Sequence, residues 1–319
     1  MTSSQPTIRT VRGDLTPQAV GRTNYHEHLI QITPLLAGDE LDDVQRSATE
    51  TTLLRDSGFD ALVDLTPIGL GRDPAALATI SQQTEVHVIG ATGVHREAHY
   101  PPDHPVRDLD ETQLLDTFVT EIASGMYSSP FTSRKQHPAR AGTIKVGIGY
   151  WSISAFEERV LAAAGQACQR TGASVVCHLE LGTAAWEAAE RLEAAGAARE
   201  RIVLAHADRN PDPGLHRDLI DSGVTLGYDG AGRTKYWPDS VLLDCLAAVV
   251  EAGGGTGVLL GGDVARKSSF QAYGGMPGMA YLGRRFVPRI AQRCGEETVR
   301  QILVDNPARV FAMPADGPS

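Results

Sequence analysis

Gly21-Arg22-Thr23-Asn24-Tyr25-His26-Glu27-His28-Leu29 is the stretch on whose reading the fold turns. It has the character of a short extended run, and it delivers two histidines spaced i, i+2. On a strand that spacing sends both side chains to the same face. Two imidazoles converging from one side suit a borderline divalent ion such as zinc. Ten histidines in 319 residues make one such pair an ordinary coincidence, so its weight depends on where the other candidate ligands fall.

Outward from this first strand, Thr23–Tyr25, short apolar runs alternate with helical patterns. The further strands are Ala61–Leu65, Val86–Ala91, Thr143–Ile148, Ser174–His178, Arg201–Ala205, Val224–Tyr228 and Thr256–Gly261. Helical periodicity covers Asp39–Asp56, Pro74–Gln83, Leu109–Ser124, Ser154–Thr171, Thr183–Ala195, Gly214–Ser222, Ser240–Glu251 and about Ala280–Arg293, with a last helix at Glu296–Val304. Eight strand–helix units with continuous apolar strands predict an α/β fold, a (β/α)8 TIM barrel with its active site at the C-terminal ends of the strands. An open doubly wound sheet is the runner-up, but no Gly-x-Gly-x-x-Gly follows the first strand. Ile8–Val11 and Ala19–Val20 read as a small hairpin ahead of the barrel. Since no linker-like segment interrupts the pattern, a single barrel domain is expected over 1–319, with 1–22 as an N-terminal extension and 314–319 as a frayed tail.

Composition narrows the function. Hydrophobic residues make up 42% and charged residues 21%, as in a globular protein with a sizeable core. A net charge of −10 argues against nucleic acid and anionic membrane as partners. The four cysteines have no metal-finger or redox spacing and read as free thiols of a reducing compartment. Met1–Thr10 is polar, and no run of 18 apolar residues occurs, so a cytoplasmic location is expected. A homodimer is compatible with all of this.

Taking the strand ends in order gives a non-random set. The first strand ends in His26 and His28, the fourth carries Lys145, the fifth ends in His178, the sixth in His206, and the eighth is followed by Asp263. Four histidines, a lysine and an aspartate on one rim signal a two-metal hydrolase centre. Lys145 is unusual, because an ammonium ion inside an apolar strand is costly. Burial favours the neutral amine, which reacts with carbon dioxide to a carbamate able to bridge two ions. Without the histidines, a lysine reaching the barrel rim or pairing with an acid would be the better reading.

These residues carry a resemblance. Thr23-x-x-His26-Glu27-His28, the strand lysine Lys145, Cys177-His-Leu-Glu-Leu-Gly-Thr183, His206-Ala-Asp208, Gly262-Asp263, Tyr273-Gly-Gly-Met-Pro-Gly-Met-Ala-Tyr281 and Asn306-Pro-Ala-Arg309 resemble the phosphotriesterase family of the amidohydrolase superfamily over nearly the whole chain. The resemblance implies two divalent ions, zinc by preference with manganese or cobalt as alternatives. One would be held by His26, His28 and Asp263 and the other by His178 and His206. Carbamylated Lys145 and a hydroxide would bridge them.

Within that family, His206 through Pro213, Tyr228-Asp-Gly through Tyr236 and Asp263-Val-Ala-Arg266 look most like the members that hydrolyse phosphorylated sugar lactones. The implied reaction is attack of the bridging hydroxide on a lactone or ester carbonyl, with Asp263 as general acid–base. Lys235, Tyr236 and Arg266 are expected on the substrate's anionic group, and His95 and Tyr100, after the third strand, on the substrate side. Two positions depart from the pattern: Thr92-Gly-Val-His95 lacks the aromatic of many relatives, and Leu179 follows His178 where those lactonases often carry a polar residue. The rival readings are phosphotriesterase, carboxylesterase or amidase activity from the same ligands, or a binding protein without catalysis. His87 reads as structural. His99, His104, His137 and His216 receive no role, Trp151 reads as pocket wall, and Asp208 as either a partner of the site or the start of a loop.

Overall fold

The structure is a computed structural model that describes residues 5–128, 131 and 135–314. An antiparallel hairpin, β1 (Thr7–Thr10) and β2 (Gly13–Leu15), precedes the barrel, and β1 also pairs with β11 (Ala312–Met313) near the other end of the chain. The barrel strands are β3 (Thr23–Glu27), β4 (Ala61–Asp64), β5 (His87–Gly93), β6 (Thr143–Ile148), β7 (Ser174–Leu179), β8 (Ile202–Ala205), β9 (Thr225–Tyr228) and β10 (Val258–Leu260). They form one parallel sheet in strictly sequential order. Helices α1 (Val44–Arg55), α2 (Pro74–Thr84), α3 (Glu111–Ala123), α4 (Ala155–Thr171), α5 (Ala185–Ala194), α6 (Pro213–Asp221), α7 (Asp239–Glu251), α8 (Val287–Cys294), α9 (Glu296–Arg300) and α10 (Asn306–Val310) cover it.

The seam between β3 and β10 is closed from the loop beyond β10, where Gly262 and Asp263 both donate backbone N–H groups to the His26 carbonyl, at 3.3 and 2.8 Å. This is the nearly closed eight-stranded barrel that the strand count predicts. Every barrel strand from β3 to β10 is buried along its length apart from the first residue of β5, which explains the unbroken apolar runs. Local chemistry sets the helix starts. Asp43, Asp73 and Asp212 accept from the first backbone N–H groups of α1, α2 and α6, while Asp110 and Ser154 complete capping boxes with Gln113 and Glu157.

Several boundaries differ from the expectation, each for a local reason. The N-terminal hairpin turns at Val11-Arg12, so its second strand is Gly13–Leu15, and Ala19 falls in a 3-10 turn instead. Helix α1 begins at Val44 because Asp43 caps it, leaving 39–42 outside. The pattern near Ala280–Arg293 is broken by a π turn at Leu282–Phe286, and a second π turn, Gln301–Asp305, carries the last helical stretch on to Val310.

Gly93, at the end of β5, stands opposite Lys145 in the ladder with φ +102, and a β-carbon there would fall on the Lys145 carbonyl oxygen. Gly93→Ala therefore faces both a left-handed backbone and a backbone clash. It should lower stability by about 1–3 kcal/mol or more. Urea unfolding of the purified variant checks this, and an unchanged midpoint would mean the strands move apart freely at that position.

Candidate metal centre

The rim of the barrel gathers the strand-end residues around a cavity of about 330 Å³ lined by His26, His28, His95, His178, His206 and Asp263. Strand alternation puts His26 and His28 on one side, and the loop after β10 brings Asp263 over them. Asp263 Oδ1 stands 3.5 Å from His26 Nε2 and 3.4 Å from His28 Nε2. Donor atoms of His26, His28 and Asp263 all lie within 4.8 Å of one another, close enough to hold one ion. On the other side His178 Nδ1 faces His206 Nε2 at 2.8 Å.

Asp229, just beyond β9, organises both sides. It is fully buried, and its two oxygens accept from different rings: Oδ2 from His26 Nδ1 at 2.9 Å and Oδ1 from His206 Nδ1 at 2.6 Å. The Tyr25 hydroxyl donates to Oδ2 as well. Burial alone would raise Asp229, but the hydrogen bonds that the two ring N–H groups donate outweigh it and hold the carboxyl well below the usual carboxylate range. Burial lowers His26 to about 3 and His206 to about 4, so both rings are neutral and carry their single proton on Nδ1. Each Nε2 is then a bare lone pair.

The same logic applies to His178. Its Nε2 lies 2.9 Å from Glu180 Oε2, which in turn pairs with Arg96 at 3.1 Å, and burial keeps the ring neutral. A neutral ring that donates from Nε2 has a lone pair on Nδ1. Two imidazole lone pairs therefore face each other at 2.8 Å across His178 and His206. His26 Nε2 likewise faces a carboxylate oxygen of Asp263. Acceptors meeting acceptors in a dry site call for a cation. The donor set, imidazole nitrogen with carboxylate oxygen, is one that zinc and its neighbours accept.

Lys145 lies wholly buried in β6, and its Nζ has no hydrogen-bond partner. Burial lowers its pKa to about 8 against the opposing pull of Asp263 and Asp229. A buried amine without a partner is unfinished chemistry. It is what a lysine that reacts further in the mature centre would present.

The backbone at the site is held under strain. His206 and Asp263 both take left-handed φ, +65 and +46, rare for non-glycine residues. Buried Glu27, between the two histidines, pins the second of these turns by accepting from Val264 N at 2.8 Å and from Asn24 Nδ2 at 2.7 Å. Asp208 accepts from Gly230 N, next to Asp229, at 2.7 Å. Arg209 and Arg233 both contact Asp263 Oδ2, at 3.0 and 2.8 Å.

Of the substrate-side residues, Lys235, Tyr236, Arg266 and His95 line the cavity. Tyr100 does not reach it. Its hydroxyl accepts from His95 N at 2.9 Å and donates to the Ile68 carbonyl at 2.8 Å, so it supports the loop from behind. Trp151 is not pocket wall either, being 63% exposed on a left-handed backbone, with its backbone N–H donating to Thr183 Oγ1. His99, given no role from the sequence, is a cavity residue stacked on His95 at 4.0 Å. His216 is buried between Tyr228 and the Ala207 carbonyl as a brace. A second cavity of about 370 Å³ adjoins the first and shares Arg233, Lys235, Tyr236, Ala265 and Arg266 with it.

Sequence reasoning missed Asp229, Asp64, Thr66 and Glu180. Asp64 ends β4 and accepts from Leu29 N and Thr66 N, and Thr66 Oγ1 stands 2.9 Å from His28 Nδ1. Asp229 and Asp64 both occupy strand ends, so the rule that found the histidines would have found them had carboxylates been read there too.

Comparison with known proteins gives one family. The sequence profile of the Phosphotriesterase family matches residues 6–311. A protein of Mycoplasmopsis agalactiae named phospho-furanose lactonase is 31% identical, covering 96% of this chain and 91% of its own. The crystal structure of a lactonase from Listeria monocytogenes superposes with a TM-score of 0.89 at 30% identity, covering 96% of this chain and 98% of that one. The phosphotriesterase homology protein of Escherichia coli, solved with phosphate in its active site, gives a TM-score of 0.82 at 27% identity over 92% of this chain and 99% of that one.

Glu180 fixes the His178 proton on Nε2, so Glu180→Ala should free the ring to choose either nitrogen. Metal affinity should fall by about 10–100-fold, as for other partners of metal-bound imidazoles. Since Glu180 sits at the cavity mouth, thermal unfolding of the metal-free protein should change little. Chelator competition measures the affinity, and an unaltered value would show that Glu180 does not set the ring.

Proposed function

The chain belongs to the phosphotriesterase family, and from that premise we propose that it is a binuclear metal-dependent hydrolase, a lactonase whose preferred substrate is a phosphorylated sugar lactone. The family is metal-dependent, and the observation that carries the reading here is the facing lone pairs of His178 and His206 beside the His26, His28 and Asp263 cluster, over an unpartnered Lys145 amine. His26, His28 and Asp263 would hold one ion and His178 and His206 the other, with Lys145, as its carbamate, between them. Zinc suits these donors best, with manganese and cobalt next. When bound, the two ions supply a water made nucleophilic near neutral pH and a polarised lactone carbonyl.

The rest is work for this chain's own groups. Asp263 presents Oδ1 to the His26 and His28 side while Arg209 and Arg233 hold Oδ2, so the carboxylate cannot rotate. Water adds to the carbonyl carbon and gives up a proton to Asp263. The ring C–O bond breaks, and Asp263 returns the proton to the departing alkoxide, leaving a hydroxy acid. His95 and His99 also line the cavity and would offer neutral nitrogens to sugar hydroxyls; burial keeps both imidazoles uncharged. The lactonase names of the relatives and the cationic side chains of Lys235 and Arg266 on the cavity wall support a phosphorylated substrate. Free cysteines at Cys168, Cys177, Cys245 and Cys294 support a reducing, cytoplasmic setting.

Purified protein should contain close to two divalent ions per chain. His26→Ala and His206→Ala should each lower both metal content and lactonase turnover. Full activity after exhaustive chelation, with no metal by elemental analysis, would sink the reading.

The substrate class is tested separately. Arg266→Met should raise KM for a phosphorylated sugar lactone by the worth of a charge-assisted hydrogen bond, about 1.5–3 kcal/mol, roughly tenfold or more. Plain lactones should be almost untouched. Equal losses on both, or no phosphate preference in the parent enzyme, would assign the cavity to a neutral substrate.

A further inference from the structure

The long loop after β10 carries Tyr273-Gly-Gly-Met-Pro-Gly-Met-Ala-Tyr281, a stretch to which the metal centre gives no task. Phe270 and Met279 are wholly buried, while Met276 between them is 70% exposed. Several hydrogen bonds hold this loop to itself. Gly275 N donates to the Phe270 carbonyl and Gly278 N to that of Ser269, both at 2.8 Å, and Gln271 Nε2 donates to that of Pro277 at 2.6 Å. Glu50, in the middle of α1, ties the loop to the body of the barrel instead. Its side chain is wholly buried, a costly place for a carboxyl group, and both oxygens are used. Oε2 accepts from Ala272 N at 2.9 Å and Oε1 from Met279 N at 2.8 Å. Gly278 leaves room for this contact, since a β-carbon there would stand 2.7 Å from Oε1.

Glu50 lines neither cavity, but the loop it holds does. That loop lines the adjoining 370 Å³ cavity with Arg266, Ser269, Met276 and Pro277, and the loop after β9 lines it with Lys235 and Tyr236. Met276 and Pro277 lie between the two backbone N–H groups that Glu50 fixes. The two loops abut there, where a β-carbon on Gly232 would come within 3.2 Å of Pro277 Cγ. A wall held at both feet keeps its place without a ligand. A wall freed at one foot has to be ordered by the ligand, which weakens binding.

We propose that Glu50 is a positioning residue for this outer cavity: by holding the loop after β10 it sets the affinity for the arm of a substrate whose lactone ring sits at the metal centre. The proposal rests on the hydrolase reading above, and the arm is the phosphorylated one of that reading.

Kinetics of the metal-loaded enzyme on three γ-lactones test it: one without an arm, one with a phosphorylated arm, and one with an uncharged arm of the same length. Glu50→Gln keeps the shape but turns an amide N–H toward one of the two backbone N–H groups. It should raise KM for the phosphorylated lactone about tenfold, the worth of one such hydrogen bond. Metal content, kcat and KM for the armless lactone should stay within about twofold of the parent. A loss shared by both armed lactones would support the proposal equally. A loss on the uncharged arm alone would support it and overturn the phosphorylated substrate. An equal loss on all three lactones, a fall in kcat or metal content, or no change at all would overturn it. If the parent turns over none of the three, the hydrolase reading falls and the proposal with it. Gly278→Ala presses on the same contact from the loop side and should give the same split, so the test stands even if Glu50→Gln fails to fold.

Discussion

A dry barrel end packed with polar side chains is the constraint to which the rest of this structure answers. Burying a charge or an unpaired polar group costs several kcal/mol, so each such group has to be matched by another. Much of the matching here is mutual. Asp229 serves two imidazoles and a phenol, Asp64 serves two backbone N–H groups, and Glu27 serves a backbone N–H and an amide. What stays unmatched is informative because the surroundings are so well matched. Lys145 Nζ has no partner, and the lone pairs of His178 and His206 oppose each other. Those are the positions where positive charge and bridging oxygen would complete the set.

Order of this kind is bought with backbone strain. His206 and Asp263 sit in left-handed conformations that cost of order 1–3 kcal/mol each, and neither would hold without local support. For Asp263 the support is Glu27 at the next backbone N–H and the His26 carbonyl at its own. For His206 it is the short turn at Ala207–Arg209, which the buried His216 ring braces by donating to the Ala207 carbonyl at 3.0 Å. Strain and support therefore meet at the ligand positions, where a shifted side chain would be felt most.

The architecture was legible because a parallel barrel buries its strands on both faces and so writes unbroken apolar runs into the sequence. The histidines were legible for a similar reason, since a polar residue ending an apolar run stands out. Asp229 follows such a run, while Asp64 lay inside the run read as the strand Ala61–Leu65, and neither stood out as a site residue. Their function depends on partners far away in sequence, 203 residues in the case of His26 and Asp229, which no local pattern encodes. Tyr100 and Trp151 failed in the opposite direction. Each lies in a rim loop at a plausible position, yet the direction of the side chain is decided by a hydroxyl bond to Ile68 in one and a left-handed backbone in the other. The π turns that reset the last helices leave no signature in a 3.6-residue period either.

Charge balance in the cavity bears on what it can hold. Of its cationic side chains, Arg96 is engaged by Glu180, while Arg209 and Arg233 are both engaged by Asp263. Lys235 lies over the Tyr236 ring at 4.7 Å, and the carboxylate nearest Arg266, on Asp39, is at 3.9 Å, the outer limit of an ion pair. The Arg266 side chain is 50% exposed, and an exposed pair of that kind is worth about 0.2–1 kcal/mol. An anion drawn into the cavity between Arg266 and Lys235 would meet them with less water between. At an effective dielectric of 20, a single charge pair at 4 Å gives about 4 kcal/mol before desolvation is subtracted. A substrate anion there would compete with Asp39 for Arg266. Arg209 and Arg233 have no such exchange available, because releasing Asp263 would strand a buried carboxylate beside two imidazole lone pairs. The division follows from burial: the inner arginines fix Asp263, while Arg266 stays half exposed beside Asp39.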